Sequence, residues 1–181
     1  RMRLKLKDRW QSFDIDYWRK QPPRAEPNLA YKNLGDLSFQ SVGDDWGLGG
    51  DSVSFSMAVG DLDGDGDPDL VVNDFEALPR LYRNETSGQN ALKIRLIAVG
   101  NPWGIGARIE ARAGDRVFMR DVALSGGFMA ANAPVTLIGL GDVKALDSLT
   151  ITWPDGTVQT HTADLAANRL YTLRQTASTP M

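Results

Sequence analysis

The sequence has no cysteine and a single histidine, so thiol catalysis, disulfides and thiolate metal sites are excluded and any metal must be held by oxygen. Long apolar runs are missing too. The longest candidates, such as Val135 to Leu140, are strand-sized and far short of the ~20 residues a membrane-spanning helix needs. His161 sits in an apparent strand without a Ser or Asp constellation, which reads as a cross-strand or surface residue rather than a triad member. Gly104-Ile105-Gly106 lacks the third glycine and the β-α-β context of a dinucleotide fingerprint and reads as a strand entry. The most telling absence is local. Residues 44–76 carry ten acids and no lysine or arginine, whereas residues 1–27 carry eight bases against four acids, in a chain whose net charge is only −3. Such an imbalance calls for a cation in the middle of the chain.

What is present suits folding: 181 residues with 42% hydrophobic and 24% charged side chains can bury a core, and the pattern favours two small units over one large domain. Residues 1–30 read as a basic, aromatic arm in which Trp10, Phe13, Tyr17 and Trp18 precede Pro22, Pro23 and Pro27. Residues 31–88 show short β runs, Ser38 to Val42, Ser54 to Val59, Leu70 to Asn73 and Arg80 to Arg83, which predict one antiparallel sheet with the spacing of a propeller blade. A near-repeat, Tyr31-Lys32-Asn33 against Tyr82-Arg83-Asn84, agrees with that period. Residues 89–175 give seven more strands, Leu92 to Val99, Ala107 to Ala111, Val117 to Leu124, Pro134 to Leu140, Leu149 to Trp153, Val158 to Thr162 and Arg169 to Leu173, the pattern of a small β-sandwich or barrel. Trp153-Pro154-Asp155-Gly156-Thr157 reads as a hairpin turn whose glycine supplies a positive φ, Asp164 to Asn168 looks briefly helical, and residues 176–181 read as a flexible tail. The fold class expected is therefore all-β.

The chemistry lies in Asp61-Leu62-Asp63-Gly64-Asp65-Gly66-Asp67-Pro68-Asp69, which sets five carboxylates at alternate positions over nine residues. Their repulsion in a compact turn demands a counterion, and Ca²⁺ fits, since it takes about 6–8 oxygens in flexible geometry while Mg²⁺ asks for a rigid octahedron. The side chains of Asp61, Asp63, Asp65 and Asp69 are the expected ligands; Asp67 is expected to offer its backbone carbonyl while its carboxylate faces water. An EF-hand is excluded because its twelfth position would be Val72 and the flanks read as strands rather than helices. Arg108, Arg112, Arg116 and Arg120 could suggest nucleic acid, but their spacing crosses a turn and the chain is net acidic, so no nucleic-acid partner is expected. Asn84-Glu85-Thr86 meets the glycosylation pattern, a common one that matters only in a secretory host.

Phe55 to Asn73 resembles the FG-GAP or VCBS repeat of integrin-like β-propellers. Residues from about Leu92 to Leu173 resemble the ASPIC/UnbV domain through Asn101 with Gly104-Ile105-Gly106-Ala107-Arg108, Gly126-Gly127-Phe128, Gly139-Leu140-Gly141 and Trp153-Pro154-Asp155-Gly156. Together they are similar to the cartilage acidic protein 1 family. The resemblance implies a secreted or periplasmic propeller whose loops bind calcium through Asp61, Asp63, Asp65, the carbonyl of Asp67, and Asp69, and it brings no catalytic residues. Showing one full repeat, the sequence suggests the C-terminal portion of a longer parent; its start at Arg1 agrees with a processed or partial product. The expected function is a non-enzymatic, calcium-binding structural or interaction module outside the cytoplasm, docking on a protein or membrane-complex assembly. Calcium-dependent carbohydrate binding or adhesion is the alternative, with metal-dependent hydrolysis behind it.

Overall fold

The computed structural model describes residues 20–22 and 24–176. Most of the basic, aromatic arm and residues 177–181 of the expected tail lie outside the described residues. Those described are all-β, with no helix among them. They fall into two compact units, one ending at Ser54 and the other starting at Phe55, so the boundary near residue 88 suggested by the sequence runs inside the second unit.

In the first unit β1 (Glu26–Pro27) pairs antiparallel with β4 (Asp51–Ser52), and β2 (Tyr31–Asn33) pairs with β3 (Phe39–Ser41). The β2–β3 turn is closed by Asp36, whose carboxylate accepts the amide and the hydroxyl of Ser38, and Leu34 N donates to Ser38 O at 3.1 Å. Val42 is the buried apolar residue among the described residues of this unit.

The second unit begins with a sheet ordered β5 (Ser54–Gly60), β6 (Asp69–Asp74) and β7 (Arg80–Tyr82). Here the expectation of a single four-stranded sheet needs correction: the run at 38–42 pairs with β2 in the first unit, and three strands remain. The reason is reach. β3 and β2 are joined by a tight turn, whereas nothing local in the sequence favours β5 as a partner. Arg80 clamps the sheet end by a two-point contact with the buried Asp74, Nε and Nη2 lying 2.6 and 2.9 Å from its two oxygens.

The rest is a two-sheet sandwich with a separate two-stranded ribbon, β11 (Ser125–Gly127) against β12 (Ala130–Ala131). One sheet has the order β13 (Thr136–Gly141), β8 (Asn90–Ile97), β16 (Leu170–Arg174); the other has β10 (Arg116–Asp121), β9 (Arg108–Ala113), β14 (Ser148–Thr152), β15 (Val158–His161). Neither closes into a barrel. Alternation along each strand decides which face is dry. Leu92, Ile94 and Leu96 of β8 and Ile138 and Leu140 of β13 share one core with Ile109, Ala111, Leu149 and Ile151 of the opposite sheet, capped by Trp153. In β8 the intervening Lys93 and Arg95 therefore point outward. β8 and β16 pair in parallel, Leu170 opposite Lys93, so the chain crosses the whole second sheet between them.

Turns occupy the motif positions. At 153–157, Gly156 has φ +85, Trp153 N donates to Thr157 O at 2.8 Å, and Asp155 Oδ1 accepts both Thr157 N and Thr157 Oγ1. Gly104 (φ +62) packs so closely that an added Cβ would stand 2.6 Å from Leu96 Cβ, while Asn101 brackets Ile105 through both its side-chain oxygen and nitrogen. The short helix expected at Asp164 to Asn168 is absent. Both residues adopt left-handed φ, +54 and +59, which breaks the segment into bends, and Asp and Asn are the types that tolerate this.

Candidate metal centre

The acidic loop joins β5 to β6. Gly64 and Gly66 take φ of +86 and +106, conformations that let a nine-residue loop double back between adjacent strands. The aspartates then organise the backbone by local turns: Asp61 Oδ1 accepts Gly64 N at 2.8 Å, Asp63 Oδ1 accepts Asp65 N at 3.2 Å, and Asp65 Oδ1 accepts Asp67 N at 3.1 Å. Each of these residues uses one oxygen in its turn, and the second oxygens of Asp61 and Asp63 face Lys93 and Arg83.

Asp61, Asp63 and Asp65 are brought together, one carboxylate oxygen of each lying within 4.8 Å of the others. Oxygens bound to one calcium at about 2.3–2.6 Å can stand up to roughly 5 Å apart, so the spacing suits a shared ion. Asp67 follows them in the loop, lies like Asp69 outside the converging group, and differs from expectation. Instead of facing water, both of its carboxylate oxygens are shut off from solvent, and neither has a hydrogen-bond partner among the described residues. Burial, and then the charges of Asp65, Asp69 and Asp63, push its pKa up. An unpartnered carboxylate following three converging ones makes an all-oxygen donor set whose chemistry fits a hard cation such as calcium.

Asp69 plays a different part. It is 1% exposed, and its two oxygens accept Leu62 N at 2.7 Å and Asn84 N at 2.9 Å, tying the loop entrance and the residue after Arg83 to the start of β6. It lies outside the converging group of three. The near-repeat gains a physical meaning here, because Asn84 Oδ1 accepts Thr86 N at 3.1 Å just as Asn33 Oδ1 accepts Gly35 N at 2.8 Å: in both copies the asparagine caps a turn leaving a strand. Asn84 is thus engaged through its amide and its side chain, the structural role for this sequon.

Two cations already attend the loop. Lys93 Nζ lies 2.6 Å from Asp61 Oδ2 and 3.5 Å from Gly64 O, and Arg83 Nε is 3.5 Å from Asp63 Oδ2 while its Nη2 holds Glu85 at 2.8 Å. Burial works against the Asp61 charge, yet hydrogen bonds from Lys93, Gly66 and Gly64 together with the Lys93 charge outweigh it and hold its pKa below the ordinary carboxylate value. Lys93 is the contact that sequence reasoning missed. Its only signal was a basic residue at an outward position of β8, a feature it shares with Arg95.

The loop forms one wall of a cleft of about 810 Å³ that runs between Asp61, Asp65 and Asp67 on one side and Trp103, Asn90 and Leu124 on others. The family model for the FG-GAP-like repeat matches residues 22–72, and that for ASPIC and UnbV matches residues 98–180. The chain joins an FG-GAP-like repeat to an ASPIC and UnbV domain. No curated protein matches it. The FG-GAP match includes the whole acidic loop and ends within β6, and the ASPIC and UnbV match contains the four turn motifs named above. β7 and β8, with Arg83 and Lys93 among their residues and flanks, fall between the two matches. Of the four arginines weighed for nucleic acid, Arg108 pairs with its cross-strand neighbour Asp121 at 2.8 Å, Arg112 with Glu110 at 2.6 Å, and Arg116 with Asp142 at 2.5 Å. His161 lies on β15 opposite Leu149, a cross-strand position.

Proposed function

We propose that this chain is a non-enzymatic, calcium-binding structural and interaction module that works outside the cytoplasm, in a periplasmic or secreted setting, as a subunit docked on a larger protein or membrane-complex assembly. The observation that carries the reading is the convergence of Asp61, Asp63 and Asp65 beside the buried, unpartnered carboxylate of Asp67. Carboxylates engaged with a cation or with backbone amides are not available as acids and bases, which favours a structural role over turnover. Phe55, Met57, Phe75 and Leu81, exposed on or beside a sheet of only three strands, support docking.

Extracellular calcium modules bind with Kd of about 10⁻⁴ to 10⁻³ M, a range filled outside cells and empty at cytosolic levels, which links the loop to its compartment. Calorimetric titration of the chain and of Asp63→Ala, with melting curves in calcium and in chelator, tests the reading. One site is expected, lost in the variant, with calcium at 100 times Kd stabilising the fold by about 2.7 kcal/mol. Absence of both binding heat and a melting shift in the unsubstituted chain would sink it.

A further inference from the structure

We propose that the ammonium of Lys93 is the resident counter-ion of the acidic loop, and that a divalent cation binds only by displacing it from Asp61. The inference rests on the calcium reading above. Asp61 Oδ1 accepts Gly64 N and Oδ2 is held by Lys93 Nζ at 2.6 Å, so both oxygens of this carboxylate are engaged before any metal binds. The same nitrogen lies 3.5 Å from the carbonyl of Gly64, so a monovalent cation is seated against two different oxygens of the loop. Neither partner is a loosely hydrated surface group: the Lys93 side chain is 22% exposed and that of Asp61 is 11% exposed. A doubly charged ion bound to Asp61 and a retained ammonium in contact with it would repel each other across a few ångströms of partly buried space. The two cations therefore compete.

The competition has a structural consequence because Lys93 does not belong to the loop's own sheet. It comes from β8, the central strand of the sandwich sheet, and lies outside both family matches. In the metal-free chain the loop is tethered to β8 through a side chain; in the loaded chain the ion holds the loop and the tether is released. Linkage makes the effect reciprocal, so whatever strengthens the Lys93–Asp61 contact weakens cation binding by the same factor.

The test uses the full chain and its Lys93→Met, Lys93→Gln and Lys93→Arg variants. Methionine keeps an unbranched, apolar stem, one atom shorter, and removes the charge; glutamine guards against a packing artefact; arginine keeps the charge. Two measurements are made, calcium affinity by calorimetry and amide exchange of residues 62 to 66 in chelator, with exchange at Ile109 and Ile151 as the check on the core. Tighter calcium binding is expected for Lys93→Met and Lys93→Gln, by about 10-fold, within the usual range of coupling between sites. Faster loop exchange in chelator should accompany it, and Lys93→Arg should stay close to the unsubstituted chain in both. Calcium binding by the unsubstituted chain with unchanged or weaker affinity in the two neutral variants would overturn the competition and leave the calcium reading standing. Loop exchange in chelator that ignores the loss of charge would overturn the tether. Failure of every chain to bind calcium would overturn both readings together.

Discussion

The sandwich and the acidic loop of the second unit are held by opposite physics. The sandwich buries fifteen apolar residues in one cluster drawn from both sheets, a stabilisation that depends little on charge, salt or metal. The β5–β6–β7 sheet has a single buried apolar residue, Val72, and relies on Asp69, on the Asp74–Arg80 clamp and on side-chain contacts to the loop. Apolar burial gives a core that is either intact or lost, whereas a scaffold of carboxylates can be set by the ions around it. On the proposed reading the sandwich is the platform and the acidic loop the part that answers to its surroundings.

The contrast can be sharpened from either side. The largest effect is expected for Ile151→Ala, which opens a cavity at a fully buried position of β14 and should cost about 2–5 kcal/mol. Chemical denaturation would show it as a loss across the whole sandwich; a loss confined to one strand would mean the core is not a single unit. Asp69→Ala should come next. It strips the acceptor from two amides, Leu62 and Asn84, at a cost of about 1–3 kcal/mol, and the damage should stay local. Amide exchange should quicken at Leu62 and Asn84 while Ile109 and Ile151 remain protected, and an equal loss at both places would erase the distinction between platform and loop.

The smallest effect is set by pH at the Asp155 turn. Hydrogen bonds from the Thr157 hydroxyl and amide, followed by Gln175, hold the Asp155 carboxylate below its ordinary pKa of 3.8. A carboxylate whose folded pKa is depressed contributes stability above the unfolded value and loses it as pH falls through the folded one. The turn should therefore be unchanged from neutral pH down to about 5 and loosen below 4, read as faster exchange of the Thr157 amide relative to the same amide in Asp155→Asn. An Asp155→Asn chain with the same acid response would assign the loosening elsewhere.

Much of the sandwich could be read from the sequence because its signals are local. Period-2 alternation marks β8, β9, β13 and β14, and the glycine of Trp153-Pro154-Asp155-Gly156 marks its turn in the left-handed region. The loop was legible for a similar reason, since carboxylates at alternate positions are informative before any fold is known. What stayed hidden depends on partners distant in sequence. Nothing near Lys93 reveals that β8 brings it to Asp61, 32 positions earlier. A sequence pattern alone does not reveal that the two oxygens of Asp69 accept the amides of Leu62 and Asn84. Asp164 to Asn168 looked helical because propensity does not register two left-handed residues.

The parallel pairing of β8 with β16 also sets a sequence of events in time. Asn168 N donates to Ala91 O at 2.7 Å, and Ala91 N donates to Asn168 Oδ1 at 3.0 Å across 77 positions of chain, so the central strand acquires its second neighbour only after the whole opposite sheet has been traversed. Contacts of that separation form slowly, whereas a nine-residue loop closes on itself early. During folding the aspartates are therefore gathered before β8 is fixed in place, and the loop takes its shape before Lys93 arrives at Asp61.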